Sequence, residues 1–166
     1  MFSDKSFLWF TALCILFAGV IPVLLVLFWS RNIIKKDADI PEREDRPLLL
    51  VLVIISYLTG TAALYFLNAP WLVSGLMFCY CTNTFVVLLI NFFWKISIHS
   101  MGVAGPTTAL VFAIGPSGLL FGILLLPVMW SRVHLHRHTA AQVLAGAGLG
   151  FLLTAVQLLL IGSFSG

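Results

Sequence analysis

Apolar residues run along this chain in long unbroken stretches, separated by short polar islands. Four stretches, Phe7–Trp29, Pro47–Leu67, Trp71–Trp94 and Thr139–Ile161, match the length of about 20 residues that a helix needs to cross a bilayer core. A fifth, Met101–Trp130, carries no charge. As one helix it would be about 45 Å long, beyond the thickness of a bilayer core. Gly115-Pro116-Ser117-Gly118 near its middle reads as a turn. The pattern therefore predicts two shorter helices there, Ile98–Ile114 and Ser117–Trp130, with one tilted helix as the alternative. The period-two alternation of a membrane barrel is absent.

The expected fold is an all-α polytopic bundle of about six transmembrane helices, forming a single transmembrane domain over residues 1–166. Composition agrees. The chain is 61% hydrophobic and 9% charged, with a mean hydropathy of +1.10. A soluble domain carries roughly a quarter of its residues as charges. In lipid each backbone polar group must be satisfied within its own segment, which favours helices. The opening MFSDKSF lacks a basic leader region and a small-residue cleavage site, so the first stretch is read as a retained span. Cys14, Cys79 and Cys81 lie inside apolar runs, where packing is the expected role. Thr82, Asn83, Thr84 and Asn91 fall within the third span and should face other helices.

The polar islands are Ser30–Arg46, Lys95–Ser100 and Ser131–His138. With six spans all three share one side of the membrane. They then hold every Lys and Arg except Lys5, and all four histidines. Trp29, Trp94 and Trp130 would anchor that face, with Trp9 and Trp71 at the opposite one. The excess of Lys and Arg assigns the polar face to the cytoplasm by the positive-inside rule.

The last island has the spacing needed for phosphate chemistry. Ser131-Arg132 is followed after five residues by His138 and after three more by Gln142. An Arg fork grips phosphoryl oxygens, and a nearby imidazole can attack phosphorus or move a proton. Gln142, four residues on, shares a helical face with His138 and can fix its tautomer. Gly146 and Gly150 form a small-residue ridge for close helix packing.

The segment SRVHLHRHTAAQVLAGAGLG, Ser131–Gly150, resembles the last motif of the type 2 phosphatidic acid phosphatase superfamily, with Gln142 where that family has Asp. Ile96-Ser97-Ile98-His99 resembles its middle motif in Ser and His, without the Pro and Gly. For the first motif, Lys36 and Arg43 have the family's Lys–Arg spacing, while Arg46-Pro47 supplies its Arg-Pro. The segment Asn91–His99 is similar to a small, divergent bacterial branch of the superfamily. The resemblance covers about Lys36–Gly150.

The resemblance implies a metal-independent membrane phosphatase acting on a lipid phosphate or a prenyl (di)phosphate. His138 would be the nucleophile, and His99 would protonate the leaving group and then activate water. Arg132, Ser97, Arg43 or Arg46, and Lys36 or Lys95 would hold the phosphoryl group. No cofactor is expected. The expected partners are the lipid bilayer and a lipid phosphate substrate, with no nucleic acid, and a homo-oligomer stays open. The implied location is a bacterial inner membrane. Because an amide cannot stabilise an imidazolium as a carboxylate does, Gln142 predicts slow turnover, or action on an intrinsically reactive diphosphate. Other readings remain: a lipid-binding or assembly protein of the same fold, a small transporter, or a metal site on His134, His136 and His138.

Overall fold

In the computed structural model, which describes residues 4–31 and 46–164, every regular element is a helix. Helix α1 (Asp4–Ile15) passes through a π-helical turn (Leu16–Val20) into α2 (Ile21–Trp29). There follow α3 (Pro47–Phe66), α4 (Trp71–Asn91) and α5 (Ile98–Ile114). A 3-10 segment (Gly115–Leu124) leads into α6 (Leu125–His134), and α7 (Ala140–Phe164) closes the described chain. Among these residues, five helical runs are long and apolar enough to cross a membrane: Ser6–Trp29, Pro47–Phe66, Trp71–Asn91, Ile98–His134 and Ala140–Phe164.

The turns follow from local chemistry. After α3, Asn68 takes a left-handed φ of 53°. Its N–H donates to the Tyr65 carbonyl and that of Ala69 to the Leu64 carbonyl. This is the paired bonding that closes a helix end, and Asn tolerates the conformation better than most residues. Pro70 then caps the start of α4.

The run Ile98–His134 doubles back at Gly115, whose φ of 74° and ψ of −160° suit glycine alone. Beyond it the chain returns along α5. A β-carbon on Gly118 would lie 2.5 Å from the Leu110 and Val111 backbone, and one on Gly122 would lie 3.5 Å from Thr107. Leu125 packs with Ala104. Contacts thus step back down α5 as the returning segment advances, which is the signature of an antiparallel hairpin. The return begins as a 3-10 segment and not as the regular helix expected from Ser117 onward. It becomes α-helical only at Leu125.

The bundle's widest helix–helix interfaces join α5 with α7 and α3 with α4. The first depends on the small-residue ridge of α7. A methyl group at Gly146 would run into the Ser97 carbonyl, and one at Gly150 would sit 2.8 Å from the Ala104 β-carbon. The expected inward-facing polar residues are inward. Asn83, Thr84 and Asn91 are buried. Asn83 donates to Thr154 Oγ1 at 3.0 Å, and Gln157 donates to Asn83 Oδ1 at 2.9 Å. Thr82 donates to Gln157 Oε1 at 2.5 Å. These bonds tie α4 to α7, where apolar packing alone discriminates register poorly. Cys79 and Cys81 are buried and Cys14 is half-buried, as packing residues.

The π turn is a long-range feature. Ser56 of α3 donates its hydroxyl to the Phe17 carbonyl at 2.9 Å, and Gly60 leaves room for the Phe17 side chain. A carbonyl in a π turn is free to accept such a bond, because the helical ladder is locally out of register.

Candidate functional site

Two hydrogen bonds draw the polar islands to one end of the bundle. Arg46, at the N-cap of α3, donates from Nη1 to the Ile96 carbonyl at 3.5 Å. The Ser97 N–H donates to the Gln142 carbonyl of α7 at 3.2 Å. The segment before α5 is thereby held between α3 and α7.

The spacing of the last island has a geometric explanation. Helix α6 ends in a turn with His136 at a left-handed φ of 54°. The His136 N–H donates to the Val133 carbonyl, and those of Arg137 and His138 both donate to the Arg132 carbonyl. The main chain therefore closes between Arg132 and His138, and both side chains line the same cavity.

Helix α7 then begins at a capping box. Thr139 Oγ1 accepts from the Gln142 N–H at 3.3 Å, and Gln142 Oε1 accepts from the Thr139 N–H at 3.1 Å. Thr-x-x-Gln is a recognised signature of this reciprocal cap. Gln142 Oε1 also lies 3.2 Å from His138 Nδ1. The Thr139 N–H can only donate, so the amide atom facing it must be the oxygen. An amide oxygen can only accept, so His138 must carry its proton on Nδ1. That leaves Nε2 with a free lone pair in the neutral ring. Thr139 is thus part of the site, and its signal, Thr three residues before Gln, is present in the sequence.

The cavity has a volume of about 400 Å³. Its polar lining is Arg46, His99, Arg132, His138, Thr84 and Tyr57, and the rest is apolar, including Leu49, Leu50 and Val53. His138 is 8% exposed and Arg46 7%. Burial is the first cause that pushes the His138 pKa down, to about 4, followed by the positive charges of Arg46 and Lys95; the bond to Gln142 opposes the shift, and His99 adds to it weakly. The imidazole is consequently neutral at physiological pH, poised as a nucleophile or base.

The remaining predicted site residues fall as follows. Lys95 is half-buried, and its charge is felt at His138 without its lining the cavity. Ser97 is fully buried as the N-cap of α5, where its Oγ accepts from the Ser100 N–H and hydroxyl. It supports the start of the helix that carries His99 and does not line the cavity. Lys36 and Arg43 lie outside the described residues; Arg46 lines the cavity. His134 stacks on Trp130 with ring centroids 4.7 Å apart. Among the described residues no group of three His, Cys, Asp or Glu side chains is placed to hold a metal ion.

The depressed pKa has a measurable sign. If turnover needs neutral His138, the acid limb of kcat/KM falls near pH 4 and not near the ordinary imidazole value of about 6.5. At pH 5.5 His138 is still mostly neutral, whereas an unshifted imidazole is mostly charged. Stability moves the same way. Between pH 6.5 and about 4 the unfolded chain binds more protons at this residue than the folded one, so acidification through that window destabilises the fold. A pH–rate profile paired with thermal unfolding at each pH checks both.

Comparison with protein-family models, with curated proteins and with solved structures finds no match to this chain.

Proposed function

We propose that this multi-pass membrane protein is a metal-independent phosphatase that hydrolyses a lipid phosphate or diphosphate through a covalent histidine intermediate. One observation carries the reading: a buried, neutral histidine, fixed with its proton on Nδ1 by Gln142, shares a cavity with two arginines and a second histidine. A cavity bearing guanidinium groups attracts phosphoryl oxygens. Burial, with the charges of Arg46 and Lys95, disfavours a positive charge on His138, which keeps its lone pair available.

In the first step Nε2 of His138 attacks phosphorus in line. The bond from phosphorus to the leaving oxygen breaks, and His99 supplies the proton that oxygen takes up. Arg46 and Arg132 hold the equatorial oxygens as charge shifts between attacking and leaving atoms. In the second step His99, now neutral, takes a proton from water. The hydroxide attacks the phosphohistidine, releasing inorganic phosphate and restoring His138. Lys95 adds positive potential without direct contact being needed.

The topology belongs to the same reading. The reversal at Gly115 supports six crossings, with α5 and the returning segment as separate passes. The three islands then lie on one side, and the Lys and Arg excess assigns that side to the cytoplasm of a bacterial inner membrane. Single cysteines introduced at Arg137 and at Asn68, in a background lacking the native three, should label from opposite faces. Labelling of both from one face would remove this topology.

The test of function is release of phosphate from farnesyl diphosphate or phosphatidate by the purified protein in detergent, together with an acid-labile phosphoryl adduct on His138. Failure of both reactions would leave a lipid-binding or assembly role as the reading.

A further inference from the structure

The cavity that holds the two arginines is not isolated. A second, smaller cavity of about 160 Å³ shares Tyr57, Thr84 and Ile98 with it. A third, of about 560 Å³, shares Ala18 and Tyr80 with the second. Tyr57 and Tyr80 lie side by side at the narrow middle, with ring centroids 5.5 Å apart. The wide end is lined by Leu72, Val73 and Leu76 near the start of α4, and by the π turn at Gly19. Thr84 at the head end and Leu72 at the far end are twelve residues apart on α4, a path of about 18 Å.

Charge is confined to one end of this path. Arg46, Arg132 and the two histidines line the first cavity, and no charged residue lines the second or third. Building on the phosphatase reading, we propose that the three cavities, each partly open at the surface of the bundle, form one continuous slot for a lipid phosphate with a single hydrocarbon chain. The phosphate sits among the arginines, and the chain passes alongside the touching Tyr57 and Tyr80 rings into the opposite half of the bundle. The small middle volume between two larger ones admits one chain in single file. A two-chain phosphatidate would have to leave one chain outside. The polarity falls along the path as the ligand's does, with cations at the head, uncharged Tyr57, Tyr80, Asn83 and Thr84 at the middle, and an almost wholly apolar far end for the tail.

Two glycines make the slot testable without crowding the fold. Gly102 lines the middle cavity and Gly19 the far one, and a β-carbon at either would meet nothing within 4 Å. Gly102→Leu and Gly19→Leu therefore add bulk at the cavity lining with no clash at the β-carbon. The readout is the ratio of kcat/KM for farnesyl diphosphate to that for dimethylallyl diphosphate, taken within each variant, with lysophosphatidate and dioleoyl phosphatidate as the acyl pair. The ratio should fall about tenfold or more in Gly102→Leu, the effect of losing burial of roughly two methylenes. The wild type should also prefer lysophosphatidate over the two-chain lipid. A ratio unchanged in both variants, or equal turnover of one-chain and two-chain lipids, would overturn the slot. Thermal stabilisation by farnesyl over dimethylallyl diphosphate, measured in parallel, separates the two claims. If no lipid is hydrolysed but farnesyl stabilises more and Gly102→Leu erases the difference, the phosphatase reading fails and the slot stands. If there is neither hydrolysis nor a chain-length difference in stabilisation, both fail.

Discussion

Replacing His138 by alanine is expected to abolish phosphate release, by at least about 10³-fold, while leaving the bundle folded. Removing a covalent nucleophile generally costs this much or more, because the residual rate comes only from groups that bind the transition state. The fold should tolerate the change. His138 lies in the connection between α6 and α7, its backbone N–H bond to the Arg132 carbonyl survives substitution, and its side chain borders a cavity. The acid-labile adduct should vanish with the activity. His99→Ala should separate from it: if His99 carries the protons, phosphate release falls, while the adduct accumulates with a diphosphate substrate whose leaving group needs little protonation. An elution profile and melting curve like the wild type, with activity also like the wild type, would end the role assigned to His138.

Much of this site could be read from the chain because its constraints are local. Ser131-Arg132 and His138 keep their spacing because one carbonyl, that of Arg132, closes the turn between them. The hydrophobic runs mark the helices because lipid allows few other solutions for a backbone. The reversal at Gly115 was legible from a Gly-Pro-Ser-Gly sequence inside an overlong run, although the 3-10 form of the returning segment was not, since it follows from packing against Leu110 and Thr107. What depends on distant partners was hidden. The first island offers two Lys and Arg pairings of similar merit; Arg46, its described member beside α3, lines the cavity and bonds to the Ile96 carbonyl, fifty residues away. Ser97 has the residue type of a phosphate ligand, yet its hydroxyl is occupied in capping α5. The π turn at Leu16–Val20 is marked only by Pro22, which has no N–H to continue the ladder, while the bond from Ser56 of the next helix to the Phe17 carbonyl is not legible. Chain-internal cavities are likewise a property of how helices meet, and a list of apolar residues does not reveal the gaps between them.

Gln142 carries the second large prediction, and the structure changes what substitution there means. In the sequence it stands where a carboxylate would be expected to stabilise an imidazolium. In the fold its oxygen serves two donors at once, Thr139 N–H and His138 Nδ1. Gln142→Leu removes that acceptor from both donors. The lost cap should cost about 1 kcal/mol of stability. The lost tautomer control should cost far more in rate, up to about 10⁴-fold, as when an amide in place of a triad carboxylate leaves the imidazole proton on the wrong nitrogen. Gln142→Glu tests the other half. A glutamate keeps the reach and the acceptor for both donors, completes an equally good capping box, and places negative charge at a helix N-terminus where it is favoured. It should hold or raise the melting temperature. It should also raise the His138 pKa, moving the acid limb of the rate profile upward from about pH 4. Turnover should equal or exceed that of the wild type, because charge stabilisation is added to orientation. If Gln142→Leu turned over substrate like the wild type, orientation by this residue would be irrelevant to the chemistry. If Gln142→Glu folded normally but lost activity, a neutral partner would be a requirement of the site, and the low His138 pKa would then matter more than support of the imidazolium.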